Sequence, residues 1–141
     1  MKISTKGRYA LRLMIDLAMQ GGGTPVSLKD IAVRQGVSDK YLEQIIAMLN
    51  KAGYVKSIRG PQGGYMLTQE PSYYTAGMIL RLTEGSLVPV ACAEEESICE
   101  REGGCGTMEL WKRLDDAIKC VVDGVTLAQL LEWQLAKQQD I

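Results

Sequence analysis

Three cysteines carry the most specific chemistry in this chain of 141 residues. Cys92, Cys99 and Cys105 are separated by six and five residues in a polar stretch, 91–106, that also holds five glutamates and three glycines. Soft thiolates at that reach, on a segment with glycines enough to curl around a centre, suit an iron–sulfur cluster or zinc. Three unrelated cysteines are a poor alternative, because free cysteine usually hides among apolar side chains and this stretch offers little beyond Ile98. Cys120 differs: it precedes Val121 and Val122 in an apolar helical run and reads as a small core or interface residue. Histidine is absent altogether, which removes His-dependent triads, HExxH zinc proteases and fingers built on paired cysteines and histidines. No acid pair, phosphate loop or cofactor fingerprint takes their place, so an enzyme is not expected.

The second constellation is basic. The net charge of −1 hides two unlike halves: residues 1–67 hold ten Lys/Arg against four acids, a net +6, which leaves the remainder at −7. A basic half of this kind is the footprint of a phosphate-binding face. Within it Ser38, Lys40, Glu43 and Gln44 fall on the first turns of one predicted helix and mostly off its apolar stripe. Gln44 suits a bidentate adenine contact, Glu43 accepts from cytosine and repels guanine acceptors and phosphate, and Lys40 suits phosphate or guanine. Ser38 either caps the helix or touches DNA. Arg59 sits among glycines that let a backbone approach a narrow minor groove. Lys6, Arg8 and Lys56 are the expected phosphate contacts, with Ser4 or Thr5 as further hydroxyl donors.

These side chains need a scaffold, and the apolar periodicity supplies one. Tyr9, Ala10, Leu13, Met14 and Leu17 mark a first helix stopped by Gly21-Gly22-Gly23. Ser27 with Asp30 has a capping-box pattern and opens a short second helix carrying Leu28, Ile31 and Ala32, which ends before Gly36. Ser38 caps a third, with Tyr41, Leu42, Ile45, Ile46 and Leu49 inward and Gly53 at its end. Val55 to Ile58 and Tyr65 to Leu67 bracket Arg59-Gly60-Pro61-Gln62-Gly63-Gly64, a glycine-rich hairpin with a basic tip. Helix-turn-helix followed by hairpin is a winged helix, whose third helix enters the major groove. A helix from about Thr75 to Leu82 follows. Beyond the cysteine loop a long helix from Met108 carries a seam of Trp111, Leu114, Ile118 and Val121. Thr126 with Gln129 caps a last helix rich in Leu127, Leu130, Leu131, Trp133 and Leu135.

The fold class expected is therefore mainly α with a small β wing: a winged helix-turn-helix plus C-terminal helices. The expected division is 1–67 for DNA binding, 68–90 as connecting helix and linker, 91–107 as cysteine loop and 108–141 as C-terminal helices. The basic start lacks an uninterrupted apolar run or a cleavage pattern, and no stretch approaches the roughly 20 apolar residues of a membrane span. A cytoplasmic protein with reduced thiols is expected.

MKISTKGRYALRLM at the start, YLEQ at 41–44, VKSIRGPQGGYML at 55–67, the three-cysteine loop and ELWKRL at 109–114 together resemble the Rrf-two family of winged-helix transcription regulators. The likeness runs nearly end to end. It is greatest to the iron–sulfur-binding IscR type, with NsrR-type nitric-oxide sensors and cysteine-free CymR-type regulators as relatives. The resemblance implies a homodimer, joined through the 108–122 helix with 108–141 as dimerisation helices, that binds double-stranded DNA at a palindromic operator. It also places the family's recognition-helix contacts on Glu43 and Gln44 and its wing arginine on Arg59.

In the IscR type the cysteines matching Cys92, Cys99 and Cys105 hold a 2Fe–2S cluster, and a histidine is the fourth ligand. The residue standing there is Met108, so the usual ligand set is incomplete in this chain. Cys120 is a poor replacement from the same chain, since twelve helical residues put it about 18 Å beyond Met108. Glu109, Thr107, a backbone group, a residue of a partner subunit or an exogenous ligand stay open. The expected cofactor is an iron–sulfur cluster, 2Fe–2S favoured over 4Fe–4S, sensing cluster supply, oxygen, nitric oxide or redox state. Glu94, Glu95, Glu96, Glu100 and Glu102 around it are expected to lower its potential. The competing expectation is a repressor of the same fold with zinc or redox-active thiols, controlled by a partner protein or small molecule.

Overall fold

A computed structural model describes residues 2–20, 23–93 and 104–139. Helix α1 (Thr5–Met19) begins where the Ser4 hydroxyl accepts from the Gly7 amide, and it buries Ala10, Leu13, Met14 and Leu17 on one side. Gly21 and Gly22, read as its stop, lie outside the described residues. Helix α2 (Leu28–Gln35) is capped by the Ser27 hydroxyl, which accepts from the Asp30 amide, and it ends on Gly36 at φ 65°. That left-handed residue costs glycine no Cβ clash. Two residues later the Ser38 hydroxyl accepts from the Tyr41 amide and opens α3 (Asp39–Lys51).

The wing is a two-stranded antiparallel sheet, β1 (Val55–Ile58) and β2 (Gly64–Leu67), paired Val55 to Leu67 and Ile58 to Gly64. Its inner edge is tied back to the body by Val26, which exchanges two backbone hydrogen bonds with Tyr65. Gly64 makes this possible, because a Cβ there would collide with the Val26 carbonyl. A 3-10 turn at Pro71–Tyr73 leads to α4 (Ala76–Glu84), which runs two residues past Leu82 before Gly85 ends it. A second such turn, Ala91–Ala93, precedes α5 (Thr107–Gly124), and α6 (Leu127–Gln139) returns to lie along α1. Thr126 and Gln129 form the reciprocal cap expected for α6.

One apolar core joins these elements: Leu13 and Met14 of α1, Ile31 of α2, Leu42, Ile45 and Leu49 of α3, Val55 of the wing, Ile79 of α4 and Leu127 of α6 are all buried. Each large aliphatic side chain enclosed in this way contributes about 1.5–3 kcal/mol. Tyr74 is fully buried, and its hydroxyl donates to the Tyr54 carbonyl at 2.7 Å and accepts from the amides of Thr68 and Gln69. It thereby locks the exit of the wing to the end of α3. The mainly helical fold with a small wing is the one expected from the residue pattern.

Candidate nucleic-acid interface and thiol site

Because Leu42, Ile45, Ile46 and Leu49 occupy the inner side of α3, helical geometry leaves Lys40, Glu43 and Gln44 outside, and all three are exposed. Ser38 is exposed too, but its hydroxyl is engaged as the cap. On the α1 side α3 meets Tyr9, and a polar layer that the apolar pattern did not reveal ties α1 to α2. The edge of one ring meets the face of the other where Tyr41 packs on Tyr9, centroids 6.0 Å apart, and the Arg12 guanidinium lies 4.7 Å from the Tyr9 centroid. Arg12 also donates to the side chain and carbonyl of Gln35 at the end of α2.

Beneath that layer Asp16 is only 3% exposed. Arg34 donates to it in a fork, Nη2 to Oδ1 at 2.7 Å and Nε to Oδ2 at 3.0 Å, and Gln35 Nε2 adds a bond of 3.0 Å. The carboxylate holds the Arg34 guanidinium above its ordinary pKa, chiefly through these hydrogen bonds. In the sequence Asp16 had only the appearance of a charge interrupting an apolar run.

Lys56 projects from β1 and Arg59 stands at the wing tip, both exposed, with Gly60 at φ 117° completing the turn. Arg8 is exposed and Lys6 half-buried in the first turns of α1. Ser4, proposed as a phosphate donor, is already committed: its hydroxyl and its amide both donate to Glu84 Oε1, at 2.5 and 3.2 Å.

Of the three thiols in the cysteine loop, Cys92 lies in the 3-10 turn packed against α5, and Cys105 stands just before that helix. Cys99 and the five glutamates lie outside the described residues. Cys105 Sγ is 2.9 Å from Thr107 Oγ1. That hydrogen bond, with further ones from the backbone at Thr107 and Met108, draws the thiol below its ordinary pKa. Thr107 is therefore occupied with Cys105, and Glu109 is paired with Arg113 at 3.1 Å. Met108, expected to stand in place of an IscR-type histidine, is 6% exposed. Among the described residues no group of three or more His, Cys, Asp or Glu side chains converges as a metal site.

Helix α5 buries Met108 alone. Leu110, Leu114 and Val121 are 56%, 36% and 63% exposed, and Trp111, Ile118 and Val122 are half-covered. Cys120 is exposed on this helix and does not belong to the core. An apolar cleft of about 580 Å³ continues the strip, lined by Ile3, Leu80, Leu87, Pro89, Ile118 and Val122 among others. No helix among the described residues is long and apolar enough to cross a membrane.

A capped third helix with exposed polar residues on its first turns, a turn of glycine before it and a basic-tipped hairpin after it define a winged-helix DNA-binding protein. Residues 3–133 match the Rrf2 family, described as "Iron-dependent Transcriptional regulator". The chain belongs to that family, and it is a DNA-binding transcription regulator, not an enzyme. It is 48% identical over 139 residues to the HTH-type transcriptional regulator CymR of Bacillus subtilis (strain 168), covering 99% of this chain and 96% of that protein. It is 40% identical over 131 residues to the HTH-type transcriptional regulator IscR of Aliivibrio salmonicida, covering 93% and 77%. The solved structure of CymR, the global cysteine regulator of B. subtilis, superposes with a TM-score of 0.79 over 94% of this chain and 98% of its own.

Proposed function

We propose that the chain is a homodimeric regulator that reads a palindromic operator, with its affinity set by an iron–sulfur cluster on Cys92, Cys99 and Cys105. The DNA reading rests on one observation: α3 is held from behind by the core and by Tyr9, while Lys40, Glu43 and Gln44 stand exposed to meet base edges. Arg59 enters the minor groove, Lys6, Arg8 and Lys56 take phosphates, and Ser38 fixes the start of the helix. In this division of labour 1–67 contacts DNA, 68–90 connects, 91–107 senses and 108–141 supplies the dimer helices. The exposed seam of α5 supports the dimer, since an apolar strip of that length is costly to leave in water. The setting is cytoplasmic.

The donor set fits a soft metal centre in part. Cys105 is held towards its thiolate, the form that ligates iron, and Cys92 lies on the other segment that abuts α5. A cluster bound there supplies a centre that exchanges electrons or reacts with oxygen or nitric oxide. A 2Fe–2S centre is favoured over 4Fe–4S, with the fourth position taken from outside the usual histidine. Occupation of a centre beside α5 would then change the spacing of the two recognition helices, which is the difference between states that regulation requires.

The second reading replaces the cluster by zinc or redox-active thiols under control of a partner protein or small molecule. It is favoured by the buried Met108 in place of the ligand histidine and by the 48% identity to CymR. Anaerobic purification with a visible spectrum and iron, sulfide and zinc analysis separates the two. A coloured protein with matching iron and sulfide supports the cluster, and colourless protein with one zinc, or with no metal, defeats it. If metal-loaded and metal-free protein bind every operator equally, the switch fails even with a cluster present. Val121→Glu tests the seam: sedimentation should shift from dimer to monomer, and an unchanged dimer removes α5 as the interface.

A further inference from the structure

The first turn of α1 is capped in an unusual way. A capping box pairs the cap residue's side chain with the third helical amide, while a Glu or Gln at that third position reaches back to the cap residue's own amide. Here Ser4 Oγ accepts from the Gly7 amide at 3.1 Å, so the first half is present. The third position is Gly7, which has no side chain to complete the second half. The acceptor comes from α4, eighty residues away in sequence: Glu84 Oε1 takes both the Ser4 amide and the Ser4 hydroxyl. A Cβ on Gly7 would collide with that same carboxylate oxygen and crowd Thr83. Glu84 thus occupies the space, and makes the hydrogen bond, of the missing capping side chain. Its negative charge also lies at the helix end where the backbone dipole favours an anion.

Lys6 and Arg8 stand in this first turn, and α4 is in turn fastened to α5. Arg81 forks onto Asp123 at 2.6 and 3.0 Å, and Gly77 lets the two helices close until a Cβ would strike Asp123. From the last residue of α4 the chain passes through Gly85 towards Cys92.

We propose that Glu84 is a positioning residue for DNA binding, a cap supplied from α4 that holds the phosphate-binding turn of α1 and makes its geometry depend on where α4 and α5 sit. The proposal rests on Lys6 and Arg8 being phosphate contacts. When Glu84 is removed, the first turn loses the partner of its cap residue and frays. Lys6 and Arg8 then no longer neutralise phosphates at fixed points, while α3 keeps its base contacts.

The test is the salt dependence of operator binding by the full-length protein, measured on an operator duplex and on a scrambled duplex. Each phosphate contact contributes about 0.9 to the slope of log K against log salt. Glu84→Ala should lower the slope by about one to two, weaken both duplexes alike and leave their ratio unchanged. Glu84→Gln keeps an oxygen acceptor and should restore most of the slope. Ser4→Ala, at an exposed position, should lower the slope as well and serves if Glu84→Ala does not fold. The joint variant Lys6→Ala with Arg8→Ala should lower the slope by about two, and adding Glu84→Ala to it should lower it no further. If the joint variant leaves the slope unchanged, the phosphate reading itself falls. If it lowers the slope while Glu84→Ala and Ser4→Ala do not, or if the effects simply add, the positioning role of Glu84 is overturned and the phosphate reading stands.

Discussion

Asp16→Asn should destabilise the DNA-binding half more than almost any other polar change, and the size of the effect follows from the geometry. The carboxylate is 3% exposed and receives the Arg34 fork plus the Gln35 amide. An asparagine of the same shape presents one oxygen and one NH₂ where only donors face it, so a donor meets a donor and the guanidinium loses its counter-charge. Breaking a wholly buried pair costs about 3–5 kcal/mol, whereas an exposed pair is worth about 1 kcal/mol at most. Arg34 is 39% exposed and can rehydrate, which places the cost at about 2–3 kcal/mol. For a chain of this size that is a fall in Tm of roughly 5–10 °C. Arg34→Ala should cost nearly as much, because it leaves the enclosed carboxylate with Gln35 alone. The double variant should lose far less than the sum, giving a coupling energy above about 1 kcal/mol. Thermal melts followed by circular dichroism, with urea titrations for the free energies, give all four corners of the cycle. If Asp16→Asn and Arg34→Ala each melt within about 2 °C of the parent, or if their effects add, the pair does not hold α2 to α1.

Gln44→Ala should relax sequence preference at a single operator base pair, by about 1–3 kcal/mol, with an unchanged salt slope in competition binding across operator variants. Tyr74→Phe removes a buried hydroxyl that serves three backbone groups, and urea unfolding should show a loss of about 1–3 kcal/mol. Asp123→Asn tests the α4–α5 tie through pH. The Arg81 fork holds the Asp123 carboxyl below its ordinary value of 3.8, so the charged form stabilises the fold above that value and the gain is lost as pH falls through the lowered one. Both partners are partly exposed, so the parent should exceed the variant by about 0.5–1 kcal/mol at pH 7 in low salt, with the difference closing towards pH 3.

The fold was legible where it depends on local rules. Ser27, Ser38 and Thr126 announce helix starts by the hydroxyl each supplies, and Gly36 and Gly60 announce turns by the backbone angles they permit. Period alone separated the helices from the wing. What the sequence left hidden are pairings between distant segments. Nothing near Asp16 marks Arg34 as its partner eighteen residues on, and nothing near Ser4 points to Glu84. The pairing of Val26 with Tyr65 depends on backbone atoms, so its only trace in the sequence is Gly64, which first reads as a hairpin residue and is in addition a place where a Cβ has no room.

The site residues divide along the same line. Lys40, Glu43, Gln44 and Arg59 could be read as available because helical and hairpin periodicity dictate which positions stay outside. The thiols are different, since ligand sets are properties of three-dimensional approach and not of spacing. Cys105 is drawn below its ordinary pKa by Thr107 and the backbone at the start of α5, a local effect that places this thiol at the root of that helix. Met108, the next residue of that root, is enclosed. The proposed metal centre would therefore take its remaining ligand from a group other than a histidine; in the same turn Thr107 is bonded to Cys105, and Glu109 makes only an exposed pair with Arg113. The proposed centre would thus sit beside α5, the helix whose apolar seam the single chain leaves uncovered.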